Sequence, residues 1–290
     1  MKFEVDGRTA YAYTGGKPFD AALPTVVFVH GAVNDHSVWT LLARWCAHHG
    51  YSVLAVDLPG HMRSSGPALA SVEAMARWLL ALLDAAGVQQ AALVGHSLGS
   101  LVALEAASKS PGRVSRLLMF GTCVPMPVPQ ALLDLALADT AAAIDRVVTF
   151  SFSTLAAKPS YPGPGVWLRG AARGLLRQVV ASQGDARLFH TDFSACNGYS
   201  RGFEAAATVR CPVAIVLGAH DQMTLSKSAL PIAAALKASV HTVPAGHSLM
   251  QECPDGVLLA LRQVLAAGTF EAAPTAPTHP PAASTSAHCA

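Results

Sequence analysis

One serine stands between two glycines in a pattern that could support nucleophilic catalysis. Segment 95–99 reads Gly-His-Ser-Leu-Gly, follows an apolar run over 91–94 and precedes a helical pattern that begins near Leu98. A strand, a sharp turn and a helix in this order hold a serine hydroxyl clear of the sheet and aim the positive end of the helix at it. We therefore predict that Ser97 is a nucleophile, and that His96 packs beside it without being the base.

A serine hydroxyl needs a base to remove its proton, and two later segments supply the missing groups. His247 follows a strand-like run over 239–243, and Asp221 follows another over 213–217. A carboxylate in this role holds the imidazole tautomer and stabilises the imidazolium. The other position where an acid could follow a strand, 121–123, reads Gly-Thr-Cys and offers no carboxylate. We predict His247 as general base and Asp221 as its acid.

Attack on a carbonyl also requires backbone N–H groups that bind the developing oxyanion. The usual donors are the residue after the nucleophile and one residue in the loop after the first long strand. Here these are Leu98 and Ala32, because the apolar run over 25–30 leads directly into Gly-Ala. Val33 is the fallback for the second donor and a candidate substrate contact.

Strand and helix patterns alternate along the chain and could position these residues. Apolar, β-branched runs predict strands at 25–30, 53–56, 91–94, 117–120 and 213–217. Segment 72–86 carries apolar residues at helical spacing between two of them. Such alternation predicts an α/β fold with a mainly parallel sheet flanked by helices. Segments 3–5 and 9–13 predict an antiparallel hairpin at the sheet edge.

The alternation stops between 124 and 208, where the pattern is mostly helical. We predict a core of 1–123 and 209–268, an inserted helical cap of 124–208, and a disordered Ala/Pro-rich tail of 269–290. The cap should form an apolar pocket, with Trp167 as a candidate substrate contact. Several arginines of the cap could meet a substrate carboxylate, although a solvated cap surface explains them equally.

Composition excludes several classes of function. The chain has 290 residues, of which 52% are hydrophobic and 13% charged, but no run reaches the roughly 18 apolar residues of a membrane span. The net charge of +2 comes without a Lys/Arg cluster, so we expect no nucleic-acid partner. Acidic residues within the first six positions do not suit a signal peptide, and we expect a cytoplasmic protein. Six scattered cysteines without a C-x-x-C pair predict no metal site.

Five motifs in order resemble those of the α/β-hydrolase superfamily, and the resemblance spans about 3–266 apart from the cap. The motifs are His30-Gly31, Asp57-Leu58-Pro59-Gly60-His61, Gly95-His96-Ser97-Leu98-Gly99, Gly218–Asp221 and Gly246-His247. The chain is most similar to the single-domain bacterial hydrolases with a helical cap. It departs from the family pattern at Met62, where a glycine is common.

The resemblance implies an α/β-hydrolase fold and a serine hydrolase that needs no cofactor. A serine at the elbow argues against the dehalogenases and epoxide hydrolases of the superfamily, which use aspartate there. We predict cleavage of a small or medium carboxylic ester through an acyl-enzyme, a class that includes hydroxyalkanoate oligomers and lactones. Three alternatives stay open: hydrolysis of a carbon–carbon bond in a dienoic ring-cleavage product, peptidase or amidase activity, and a non-catalytic ligand-binding protein. The oligomeric state is open as well.

Overall fold

The computed structural model describes residues 1–153, 167–184 and 187–266. Eight strands form one sheet, each within or close to a run that the sequence predicts. Their bounds are β1 Lys2–Val5, β2 Arg8–Tyr13, β3 Thr25–Val29, β4 Ser52–Val56, β5 Ala91–His96, β6 Val114–Phe120, β7 Val213–Gly218 and β8 Ser239–Val243.

The strand order explains where a site can form. The strands lie in the order β1-β2-β4-β3-β5-β6-β7-β8, with β1 and β2 antiparallel and the strands from β3 to β8 parallel. This confirms the predicted α/β class and the edge hairpin. In the sheet β4 lies on one side of β3 and β5 on the other. The chain therefore reverses the direction in which it adds strands, and the loops after β3 and β5 meet at this switch point. Open parallel sheets bind ligands at the carboxyl edge beside such a point.

Helices cover both faces of the sheet because its central strands are apolar on both sides. In β3, Val27 and Val29 pack into the cluster on one face, and Val26 and Phe28 pack into the cluster on the other. The core helices are α1 Thr40–Ala47, α2 Val72–Ala85, α3 Leu98–Lys109, α9 Ser226–Ala235, α10 Leu249–Glu252 and α11 Pro254–Ala266.

Most of the described part of the predicted cap segment is helical. Its helices are α4 Gln130–Ala138, α5 Thr140–Ser151, α6 Leu168–Ser182, α7 Leu188–Gly198 and α8 Gly202–Thr208. Helices α4 to α7 share an apolar cluster that includes Ile144, Val179 and Phe189, and Val33 of the loop after β3 packs into it. Helix α8 instead packs against α3 of the core, so the layer over the active edge consists of α4 to α7.

Two further expectations from the sequence concern the C-terminal tail and membrane-spanning helices. The predicted tail of 269–290 lies outside the described residues. Within the described ranges, none of the helices is both long enough and apolar enough to cross a membrane.

Candidate active site

The turn after β5 holds Ser97 in a conformation that side chains rarely adopt. Its φ is 52° and its ψ is −121°, and its N–H donates to the Phe120 carbonyl at 2.9 Å. A Cβ atom at Gly95 would collide with the Gly99 carbonyl, and one at Gly99 would collide with the Val29 carbonyl. The two glycines therefore permit the crossing of α3 over β3 and β5 that aims the first turn of α3 at the serine.

The ends of β7 and β8 bring the predicted base and acid together. These two strands are parallel neighbours, so the loops that carry Asp221 and His247 leave the same edge. The Nδ1 atom of His247 lies 2.9 Å from Oδ2 of Asp221. Because Nδ1 must carry the proton to donate to this carboxylate, Nε2 is left as the basic nitrogen. Ser97 and His247 line the same two cavities.

Thr224 completes the surroundings of the acid. The Asp221 carboxylate accepts from the N–H groups of Met223 at 2.8 Å and Thr224 at 2.9 Å, and from the Thr224 hydroxyl at 2.7 Å. Burial alone would raise the pKa of Asp221, but the charge of His247 and these donors outweigh it and hold the pKa below its usual value. Asp221 is therefore a buried, ionised acceptor for the His247 ring.

Glu252 fixes the loop that carries His247. Its two carboxylate oxygens accept from the Gly246 N–H at 2.9 Å and from the Ser153 N–H at 3.0 Å. Burial raises the pKa of Glu252 despite these donors. The contact joins the residue before the base to the end of α5, so the cap contributes to the position of His247.

Two further histidines are buried and neutral beside the site. Burial, together with the neighbouring His247, lowers the pKa of His96 to about 3, and burial lowers that of His30 to about 4. The Nε2 atom of His96 donates to the His247 carbonyl at 2.9 Å. His30 accepts from the Leu58 N–H at Nε2 and donates from Nδ1 to the Gly31 carbonyl. His96 thus lies where the sequence placed it, as a packing residue next to the nucleophile.

The loop after β3 brings Ala32 to a cavity that Ser97 also lines. Gly31 and Ala32 line one of the two cavities that Ser97 and His247 share, the smaller one of about 50 Å³. Leu98 is the first residue of α3. The Val33 N–H instead donates to Asp192 at 2.8 Å. This bond removes Val33 as an oxyanion donor and leaves Ala32 and Leu98 as the candidate pair.

Two cavities between cap and core share Ser97 and His247 in their linings. The smaller measures about 50 Å³ and the larger about 320 Å³. Phe193 faces both cavities, and Arg146 is the charged residue among the described lining of the larger one. The other residues that line the larger cavity include Met126, Val128, Leu132, Val147, Phe150 and Met223.

The structure also describes the surroundings of the two predicted substrate contacts, Val33 and Trp167. Val33 is completely buried and packs into the cap cluster. Trp167 is 59% exposed, and its ring lies against the Arg173 guanidinium at 5.5 Å. Neither residue belongs to the described lining of the two cavities. Val33 is enclosed in the apolar cluster and Trp167 is mostly exposed, and their contact with substrate stays a prediction.

One group of side chains outside the site has the composition of a metal site. Ligand atoms of Asp35, His36 and Asp57 lie within 4.8 Å of one another. The Asp57 carboxylate is already occupied, since it accepts from the ring and N–H of His36 at 2.7 and 2.9 Å and from the Arg63 N–H at 3.2 Å. Through these hydrogen bonds Asp57 holds the turn after β4 in place.

The sequence matches the alpha/beta hydrolase fold family over residues 24–252. The chain therefore belongs to this family, as its motif order and sheet topology indicate.

Individual relatives match over shorter stretches. A dihydrolipoyllysine-residue acetyltransferase component of an acetoin cleaving system from Cupriavidus necator is 40% identical over 114 residues, which are 38% of this chain and 29% of that protein. The sn-1-specific diacylglycerol lipase of Mus musculus is 38% identical over 101 residues, which are 34% of this chain and 33% of the lipase. The chain thus spans about a third of the length of these relatives.

A solved structure extends the similarity of fold to nearly the whole chain. The enol-lactonase from Burkholderia xenovorans LB400 superposes with a TM-score of 0.79 over 91% of this chain and 99% of the lactonase. Only 18% of the aligned residues are identical, so this likeness concerns the fold.

Proposed function

We propose that the protein is a serine hydrolase that cleaves a small or medium carboxylic ester through an acyl-enzyme. One observation carries the proposal: Ser97 on its strained turn lines the same cavities as His247, and Nδ1 of His247 is bonded to buried Asp221. A nucleophile, a base and an acid that orients the base are the parts of the Ser-His-Asp mechanism.

In this proposal each step of the reaction is assigned to one group. The Ser97 hydroxyl attacks the ester carbonyl while Nε2 of His247 takes its proton. The N–H groups of Ala32 and Leu98 bind the oxyanion of the tetrahedral intermediate. When the intermediate collapses, His247 gives the proton to the departing alkoxide. His247 then removes a proton from water, which attacks the acyl-enzyme. When the second intermediate collapses, the bond to Ser97 breaks, His247 returns the proton to the serine oxygen and the acid is released.

The larger cavity supports the proposed substrate class. Its volume of about 320 Å³ lies at the lower end of the roughly 300–1,000 Å³ of ligand pockets. Its lining is mainly apolar, which suits an acyl chain of short or medium length. The names of the diacylglycerol lipase and the enol-lactonase both describe ester cleavage and support this class.

Loss of a carbon leaving group would place a further demand on the pocket. Such a group must be protonated on carbon and usually needs polar residues that hold an electron sink. The described lining of the larger cavity offers Arg146, Gln222 and Thr224 at scattered positions among apolar side chains, and Thr224 is already bonded to Asp221. An alkoxide needs only the proton of His247, so the geometry favours an ester over a ring-cleavage product.

Covalent labelling combined with an ester series tests the proposal. Wild type, Ser97→Ala and a matched control, Ser110→Ala at the far end of α3, should be treated with a fluorophosphonate probe and assayed on p-nitrophenyl esters from acetate to dodecanoate. We expect labelling of wild type and control on Ser97, and loss of turnover by about 10⁶ in Ser97→Ala. A Ser97→Ala variant that retains more than about a hundredth of the activity would contradict the assignment.

A further inference from the structure

A carboxylate from the cap reaches the loop that binds the oxyanion. Asp192 lies on α7 and is completely buried. Its Oδ2 atom accepts from the Val33 N–H at 2.8 Å and from Nε2 of His61 at 2.9 Å. Val33 belongs to the loop after β3 and His61 to the turn after β4, so one carboxylate oxygen joins the cap to two core loops.

His61 is the counter-ion of this carboxylate. Its Nδ1 lies 3.1 Å from the Pro59 carbonyl and its Nε2 lies 2.9 Å from Asp192. Both ring nitrogens thus face acceptors, an arrangement that only the doubly protonated imidazolium satisfies. Burial lowers the pKa of His61, but the charge and hydrogen bond of Asp192 outweigh it and raise the pKa above its usual value. The neutral ring of His30 and the carboxylate of Asp57 also face this pair.

The bond to Val33 holds a strained part of the oxyanion loop. Val33 has a φ of 55°, a region that is unfavourable for a β-branched residue. The peptide between Ala32 and Val33 is fixed at both ends, because Nδ2 of Asn34 donates to the Ala32 carbonyl at 3.0 Å and Asp192 accepts the Val33 N–H. Without Asp192 this peptide would lose one of its two restraints and could relax, which would move the neighbouring Ala32 N–H.

The turn that carries His61 is docked to the cap at a second point. The Met62 N–H donates to the Ser182 hydroxyl at 3.0 Å, and the Gln183 amide donates to the Met62 carbonyl at 2.8 Å. The turn at 61–62 is therefore bonded to the end of α6 as well as to α7. The turn at 61–62 therefore takes part both in the contact between cap and core and in the hydrogen bond that positions Asp192.

We propose that Asp192 is a positioning residue that holds the oxyanion loop in its binding geometry through the Val33 N–H, so that oxyanion stabilisation requires a docked cap. His61 neutralises the carboxylate and lets it remain buried. The proposal rests on the proposed function, since it concerns the oxyanion of that reaction. Asp192 acts through Val33 and Ala32 and does not touch the reacting atoms.

The test replaces both members of the His61–Asp192 ion pair at once. Asp192→Leu alone would leave a buried, unpaired imidazolium, whereas a paired replacement by apolar residues is often neutral for stability. The double variant His61→Leu with Asp192→Leu should therefore fold and lose the acceptor of the Val33 N–H. The matched control is Asp145→Leu, which breaks the ion pair of Asp145 with Arg173 on the cap surface.

Loss of a well-placed oxyanion donor lowers turnover by about 10²–10³, and a displaced donor should cost somewhat less. We expect kcat of the double variant to fall about 10- to 100-fold on the best p-nitrophenyl ester, with KM within about threefold. A trifluoromethyl ketone, which forms an oxyanion on Ser97, should bind more weakly by a similar factor. The control should match wild type in all three quantities.

The outcomes separate this proposal from the proposed function. A wild type that hydrolyses no ester contradicts the function itself. If wild type is active, the positioning role is overturned by any of four results: a double variant with kcat within about threefold of wild type, a loss carried by KM alone, unchanged affinity for the ketone, or a chain that does not fold. The last result would show that the pair serves stability alone.

Discussion

Replacing Asp221 by asparagine should separate the chemical role of the acid from its structural role. The carboxylate accepts four hydrogen bonds, from two N–H groups, the Thr224 hydroxyl and Nδ1 of His247. Asparagine can keep the two N–H bonds with its oxygen, but its NH₂ group then faces His247. To accept from that group, His247 must move its proton from Nδ1 to Nε2. The basic nitrogen would point away from Ser97.

The separation of the two charged groups gives the size of the effect. In the transition state a positive imidazolium lies 2.9 Å from the carboxylate, measured from Nδ1 to Oδ2. With an effective dielectric constant of about 20, and charges about 3–4 Å apart because both are delocalised, the attraction is about 4–6 kcal/mol. At 1.36 kcal/mol per factor of ten this is about 10³–10⁴ in rate. A wrong histidine tautomer lowers a serine protease by about 10⁴, in the same range.

The assay compares kcat/KM of wild type and Asp221→Asn on the best p-nitrophenyl ester, with melting temperature as the measure of folding. Asp57→Asn is the matched control, because Asp57 is also a buried carboxylate bonded to a histidine and to N–H groups. We expect the control to retain far more activity than Asp221→Asn. The reasoning is refuted if folded Asp221→Asn stays within about tenfold of wild type, or if Asp57→Asn is the weaker enzyme.

Three other predictions concern stability, specificity and the bond cleaved. His30 and His96 are neutral when folded, with pKa values of about 4 and about 3. The unfolded chain binds these two protons below about pH 6.5. As the pH is lowered from 6 to 4.5, the free energy of unfolding should therefore fall by up to about 2.7 kcal/mol per pH unit. Urea titrations at several pH values measure this dependence, and a His96→Gln variant whose free energy of unfolding changes with pH as steeply as that of wild type would contradict the prediction. Arg146→Leu should lower kcat/KM for esters whose acyl chain ends in a carboxylate relative to neutral esters of equal length, and an equal effect on both would remove Arg146 from substrate recognition. Purified enzyme should prefer p-nitrophenyl esters to the matching anilides and to a dienoic ring-cleavage product, and a higher kcat/KM on the dienoate than on every ester would overturn the ester assignment.

The sequence predicted the residues whose place is set by strand ends. Ser97, Asp221 and His247 each come after an apolar run, and parallel strands bring the loops at their carboxyl ends to one edge of the sheet. The order of the runs and the glycines at the elbow were enough to predict which side chains meet. The same logic led to Ala32 and Leu98 as oxyanion donors, since both are defined by backbone position, and their role stays a prediction.

Residues of the cap could not be predicted in this way, because helix packing depends on shape and not on a shared edge. Trp167 had the size and apolar character of a substrate contact, yet it faces outward beside Arg173. Arg146 lines the larger cavity, and nothing in its sequence neighbourhood distinguishes it from the other arginines of the cap. Thr224 had one usable signal, its position three residues after Asp221, where a hydroxyl can turn back to a carboxylate.

Met62 shows how a departure from a family pattern can carry structural information. Its φ of 42° explains why glycine is common at this position, since glycine has no Cβ penalty there. Met62 adopts the strained angle, and its side chain packs against the cap cluster. Its backbone forms hydrogen bonds with the side chains of Ser182 and Gln183. Two of the positive-φ side chains of this chain, Val33 and Met62, thus lie where the core meets the cap. Strain at such positions persists only when surrounding contacts impose it, and here those contacts come from α6 and α7. In the proposed mechanism the geometry of the oxyanion loop therefore depends on contacts between cap and core, and we expect substitutions on the inner face of the cap to alter turnover as well as substrate choice.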